Sequence, residues 1–194
     1  MLKVYPLLFI LLLVVSCSNR NVQVAKILTD FQKNEIVIPD NLIRIEKGKV
    51  LGMEPLPDRA KLIEYIDSSS CSACHIAHLE IVDNLFMMAG STKLFDVVVV
   101  FSPRAEDASE VLRMLLAKKY KYPVYFDGSC EFAQINRTIP SDQRYHTFLI
   151  DKRGTPIFVG NPNQSDALYN IFVKSLSLLY SSFASDLGRR PGEV

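Results

Sequence analysis

Strand and helix signals that alternate between residues 59 and 182 predict an α/β fold, a mixed central sheet flanked by helices. Three observations carry this expectation. Phe95 to Phe101 contains four consecutive valines, the pattern of a strand buried on both faces, as in parallel sheets. Amphipathic runs at helical spacing stand between that strand and the other strand-like runs. Near the end, two short apolar runs flank Asp151-Lys152-Arg153-Gly154, a hairpin connection in which glycine supplies the turn.

The first element is a targeting signal. Lys3 is followed by an unbroken apolar run from Leu7 to Val15, and Ser16 then precedes Cys17. The pattern resembles a bacterial lipoprotein signal peptide with its lipobox. That resemblance implies cleavage before Cys17 and a lipid thioether on its sulfur. The apolar stretch is short for a membrane span of about twenty residues. Acyl chains contribute about 0.8 kcal/mol per buried CH₂, so several chains would hold the mature protein durably on a bilayer. Residues 1–16 are thus read as the signal, and 17–58 as a lipid-anchored tether with an N-terminal extension.

Within the extension, Val24, Ile27, Leu28 and Phe31 recur at helical spacing and predict a small amphipathic helix. Glu35 to Asp58 carries prolines and glycines among short β-like pieces, Ile36-Val37-Ile38 and Leu42-Ile43-Arg44-Ile45. The main domain, residues 59–182, opens with a strand at Lys61 to Asp67 and a helix at Cys74 to Ala89. Strand Phe95 to Phe101 follows, then an amphipathic helix over Glu106 to Lys119 with Val111, Met114 and Leu115 inward. Tyr122 to Phe126 is a strand, Glu131 to Asn136 a short helix, and Asp127-Gly128-Ser129 a turn and cap signal between them. Thr147 to Ile150 and Ile157 to Val159 form the hairpin, and a helix from about Asp166 to Tyr180 closes the domain before a polar tail, 183–194.

Composition removes several function classes. The 48% hydrophobic content is ample for one core, and a net charge of +1 without any basic run carrying interleaved aromatics speaks against nucleic acid as a partner. Of the four cysteines, Cys17 goes to lipid and Cys71 and Cys74 form a pair; Cys130 is left over.

Cys71-Ser72-Ala73-Cys74 carries the chemistry. Two cysteines three apart in one helical turn share a face, so their sulfurs can close a ring or alternate between thiol and disulfide. The first sits nearest the helix N-terminus, where the dipole and unpaired N–H groups favour a thiolate. Other readings of the residues are weaker. Cys71-Ser72-Ala73-Cys74-His75 matches the pattern for covalent haem, but the β-rich surroundings do not suit it. Cys71, Cys74, His75 and His78 are zinc-type ligands, yet Cys71 and His78 would lie about 10 Å apart along a regular helix. No dedicated metal or cofactor is expected. His78 reads as a partly exposed helix residue, Met87 and Met88 as core, and Cys130 as a buried small residue or a resolving thiol.

The element order resembles the thioredoxin fold, and more closely the membrane-anchored thioredoxin-like and peroxiredoxin-like proteins of bacterial envelopes. The resemblance rests on the strand, Cys71-Ser72-Ala73-Cys74, helix succession, on the Phe95 to Ser102 strand, on the extra strand and helix from Tyr122 to Asn136, and on Thr147-Phe148-Leu149-Ile150-Asp151-Lys152-Arg153-Gly154. It implies thiol-disulfide exchange, with Cys71 as attacking and Cys74 as resolving thiol, and His75 helping to stabilise the thiolate. The implied partner is a thiol- or disulfide-containing envelope protein, reached from the periplasmic face of the outer membrane. The alternative is a non-enzymatic binding lipoprotein of the same fold with a structural or vestigial disulfide.

The chain departs from the family at four places. Ser70 and Ala73 stand where tryptophan and proline are usual. The buried acid that lies six residues before the first cysteine is replaced by Tyr65, with Glu64 and Asp67 close by. Tyr145, followed by His146, aligns with the cis-proline that faces the disulfide. A cis bond without proline costs about 2.5 to 4 kcal/mol, so a trans loop is expected there.

Overall fold

The computed structural model describes residues 22–52 and 55–187. The signal segment and Cys17 lie outside the described residues, as does the end of the polar tail. Among the described residues, no helix is long and apolar enough to cross a membrane.

Seven strands form one sheet in the order β2-β1-β5-β4-β3-β6-β7. Its centre is β3 (Ala60–Ile66) beside β4 (Phe95–Phe101), paired in parallel over seven residues, with β5 (Val124–Phe126) parallel on the far side of β4. The valine run of β4 is buried on both faces, which its central place requires. Strand β6 (Thr147–Ile150) runs antiparallel to β3, and β7 (Pro156–Val159) closes that edge. Parallel βαβ units completed by a β-hairpin are the thioredoxin-like arrangement that the sequence predicts.

The N-terminal extension is woven into the sheet. Strand β1 (Ile43–Glu46) pairs antiparallel with β5, and β2 (Lys49–Leu51) forms the edge. Helix α1, residues 22–32, drives Phe31 against Phe148, ring centroids 5.1 Å apart. Ile36-Val37-Ile38 is extended but belongs to no strand, because the Asn136 carboxamide satisfies it. Val37 N–H donates to Asn136 Oδ1, and Asn136 Nδ2 donates to Val37 O, each at 2.8 Å.

Period-2 alternation along β3 divides the core. Leu62 and Ile66 face helices α2 (Ser72–Ala77), α3 (Asp83–Thr92), α4 (Ala108–Lys118) and α6 (Asp166–Leu187). Ile63 and Tyr65 face Phe31 of α1 and Phe132 of α5 (Glu131–Ile135). The helix expected over Cys74 to Ala89 is broken: α2 ends at His78, and a 3₁₀ turn, Leu79–Val82, leads into α3. The buried residues explain the break. Ile76, Leu79, Val82 and Leu85 recur every three residues, and the tighter 3₁₀ winding keeps all of them on the sheet. Met87 points outward at 59% exposure, against the expectation of core, and only Met88 packs on the cluster. The closing helix extends beyond Tyr180 to Leu187.

In the β6–β7 connection, Asp151 Oδ1 accepts the N–H groups of Arg153 and Thr155, each at 2.9 Å. Gly154 has φ +92°, and its carbonyl accepts the Ile36 N–H at 2.8 Å. A Cβ at this position would stand 2.5 Å from Ile36 O, so glycine is required by both the turn and the docking of the extension.

Candidate functional site

Cys71 and Cys74 are joined by a disulfide, with Cα atoms 5.3 Å apart. Both residues are exposed at the C-terminal end of β3. Asp67 builds the approach: its carboxylate accepts from the Ser69 and Ser70 hydroxyls at 2.9 and 2.7 Å and from Ser69 N–H at 3.2 Å. The chain thus turns sharply into α2, whose N-cap is Cys71. Cys71 Sγ accepts the Cys74 N–H at 3.3 Å, and Cys71 O accepts the His75 N–H at 3.1 Å. The first sulfur is therefore the one that receives a backbone donor, an arrangement that favours a thiolate there when the pair is reduced.

A recess of about 280 Å³ lies beneath α2, lined by Cys74, His75, His78 and Glu64 among others. Glu64, which the sequence shows only as an acid next to the Tyr65 position, is the group underneath. It has the same strand parity as Leu62 and Ile66, so it points at the cysteine-bearing helix, whereas Tyr65 points to the opposite face against Phe132 and His146. The Glu64 side chain is partly covered, and its Oε2 is closed off from solvent with no hydrogen-bond partner. Burial pushes its carboxyl up to about 7. The sequence signal was a lone acid in a largely apolar strand, and its face was set by the packed sheet. Glu64 stands seven places before Cys71, one place before the tyrosine that counting back six finds.

His75 is held below the usual imidazole range by burial, with the Asp67 charge opposing. At neutral pH it is uncharged, so it offers the site a hydrogen-bonding ring. His78 is exposed at the end of α2. Among the described residues, no three His, Cys, Asp or Glu side chains cluster closely enough to hold a metal ion.

Tyr145 lies across the sheet end from the disulfide, in the 3₁₀ turn Gln143–Tyr145. No cis peptide bond occurs among the described residues. The turn uses its own backbone donors: Tyr145 N–H donates to Asp142 O at 3.0 Å, and His146 N–H to Gln143 O at 3.1 Å. Gln143 Nε2 donates to Ser69 Oγ at 3.0 Å, which ties the turn to the segment leading into Cys71. His146 is buried; its Nε2 meets Pro140 O at 2.8 Å, and its O accepts Tyr65 N–H at 2.9 Å. Sequence reasoning gave His146 no role, and its burial could not be read from a loop position.

Cys130 stands apart from the pair. Its thiol donates to Pro103 O at 3.1 Å, and burial together with the Asp127 charge raises its pKa. This is the environment of an unreactive thiol. Asp127 caps α5 as the turn signal predicts, accepting the Glu131 and Phe132 N–H groups at 3.0 Å each and the Ser102 hydroxyl at 2.8 Å.

No protein-family model matches the sequence, and no curated protein matches it. Solved structures are similar in outline. A Chlorobium tepidum protein proposed as the thiol:disulfide interchange protein DsbE is 17% identical with a TM-score of 0.48, over 74% of this chain and 96% of that one. A thioredoxin-like protein from Porphyromonas gingivalis is 14% identical with a TM-score of 0.47, over 75% and 93%. AhpC of Enterococcus faecalis is 14% identical with a TM-score of 0.45, over 82% and 98%. These likenesses are distant, and the fold assignment rests on the strand order and pairing themselves.

Proposed function

We propose that the protein is a lipid-anchored thiol-disulfide oxidoreductase of the bacterial cell envelope, facing the periplasm from the outer membrane. The observation that carries the reading is an exposed disulfide, Cys71–Cys74, whose second cysteine shares a recess with the unpartnered carboxyl of Glu64. In the reduced protein the Cys71 thiolate attacks a partner disulfide, forming a mixed disulfide and releasing one partner thiolate. Glu64 takes the proton of Cys74, directly or through water in the recess. The Cys74 thiolate then attacks Cys71 Sγ, re-forming the Cys71–Cys74 bond and releasing the second partner thiolate. Two electrons pass to the partner, and a dithiol donor must return them. The same steps in reverse oxidise a dithiol partner.

A redox titration with alkylation of the thiols tests this. The pair should titrate reversibly, Cys71 should be labelled first at mildly acidic pH, and Cys71→Ser should abolish exchange. Slow and equal labelling of both cysteines in the reduced, folded protein counts against it. Mass spectrometry of the mature N-terminus tests the anchor: an unmodified Cys17, or a chain beginning at Met1, ends that part of the reading. The binding-protein alternative is favoured by one observation, the 143–146 turn that keeps its backbone N–H groups for itself. Vigorous reduction of insulin by the unmodified protein would remove it.

A further inference from the structure

A second recess, about 440 Å³, adjoins the first and shares Glu64, His75, Ile81 and Asn161 with it. Its other walls include Ser70, Gln143, Arg144 and Thr147. One of the lining side chains, Glu64, carries a buried, unpartnered polar atom, Oε2, on the sheet face that carries the cysteine helix. The cation on the wall, Arg144, is neutralised by Asp142, to which its Nε and Nη2 donate at 3.0 and 2.5 Å. The recess therefore offers the Glu64 carboxyl without a competing free cation.

We propose that this recess is a subsite for a cationic side chain, lysine or arginine, carried by the partner polypeptide next to its reacting cysteine. The identity of the partner, though not the chemistry of the recess, rests on the exchange reading. Ser70 lines both this recess and the one that holds Cys71, so the residues beside a partner cysteine bonded to Cys71 reach its mouth. A metal ion is disfavoured as the occupant, since no three ligating side chains gather there among the described residues. An organic cation needs only an acceptor, and the Glu64 carboxyl is one. It also has a consequence for the chemistry: a cation held against Glu64 favours the carboxylate, the form that accepts the Cys74 proton.

The test uses the oxidised protein and peptides of sequence acetyl-Ala-Ser-Xaa-Ala-amide, with serine in the cysteine place and lysine, norleucine or glutamate at Xaa. The lysine peptide should bind about tenfold more tightly than the norleucine peptide, the increment of one charge-assisted hydrogen bond. The glutamate peptide should bind most weakly. In the unmodified protein, the carboxyl carbon of Glu64 followed by NMR should titrate at lower pH with the lysine peptide bound. Glu64→Gln should bring the lysine and norleucine affinities together. Equal affinities in the unmodified protein, a preference for glutamate, or an unmoved Glu64 titration overturns the proposal. Exchange is read separately with the cysteine-bearing peptides as mixed disulfides. Selective binding without exchange removes the oxidoreductase reading and keeps the subsite; exchange at one rate for all three peptides does the opposite.

Discussion

Asp127 and Glu64 are acids on strongly covered parts of the same sheet, and they are used in opposite ways. Asp127 follows β5 and its oxygens are fully engaged, by Ser102 Oγ, Glu131 N–H, Phe132 N–H and, at 3.3 Å, Ser129 Oγ. Glu64 sits at the middle of an apolar strand with one oxygen facing a recess and no donor on it. The first carboxylate organises a turn. The second is stored at a cost in stability, and beside the Cys71–Cys74 pair that cost has a use, since a carboxyl titrating near neutrality is suited to take a proton from a thiol.

The contrast breaks down unless the two acids respond to substitution with opposite signs. Asp127→Ala strands Phe132 N–H and the Ser102 hydroxyl in the interior, and should destabilise the fold by about 3 kcal/mol in urea unfolding, from the loss of buried hydrogen bonds. Glu64→Gln should instead stabilise it by about 2 kcal/mol at pH 8 and change little at pH 4, given the raised carboxyl and an allowance for its partly covered side chain. The same substitution should slow the Cys74 resolving step by about a hundredfold, the lower range for loss of a positioned base. Equal destabilisation by both substitutions would mean that Glu64 is an ordinary structural acid.

The unmodified protein should show the linkage directly. The Glu64 carboxyl moves from its ordinary 4.5 up to about 7 on folding, so its favourable contribution is complete below pH 4.5. It is then lost as the pH rises through 7, because the unfolded chain ionises first. Urea midpoints should fall across this window, and the fall should vanish in Glu64→Gln.

Tyr145→Pro is expected to have the smallest effect. It removes the Tyr145 N–H bond to Asp142 O, at about 1 kcal/mol. By loosening the turn it should raise insulin reduction a few-fold from a low basal rate. Strong basal activity, lost in Cys71→Ser, would show that the turn is no obstacle to extended partners.

Much of this was legible in the sequence because it depends on neighbours a few residues apart. The pair closes within one turn of helix, Asp127 reaches N–H groups four and five places on, and Asp151 and Gly154 shape a turn within their own tetrapeptide. The four valines of β4 announce burial on both faces wherever the strand is placed. The integration of the extension was harder to read, because it rests on Phe31 meeting Phe148, Ile36 meeting Gly154 and Val37 meeting Asn136, pairs that stand far apart in the chain.

The sequence by itself determined the α/β class, most of the elements from residue 59 onward, and a cysteine pair at the head of a helix. Tertiary structure alone decided which acid faces that pair. A strand's side chains alternate with period two, and because both faces of β3 are covered the pattern alone does not tell which of Glu64 and Tyr65 lies under the cysteine helix. Counting back from the cysteine finds the tyrosine; only the sheet, once packed, shows that the carboxyl is the group underneath.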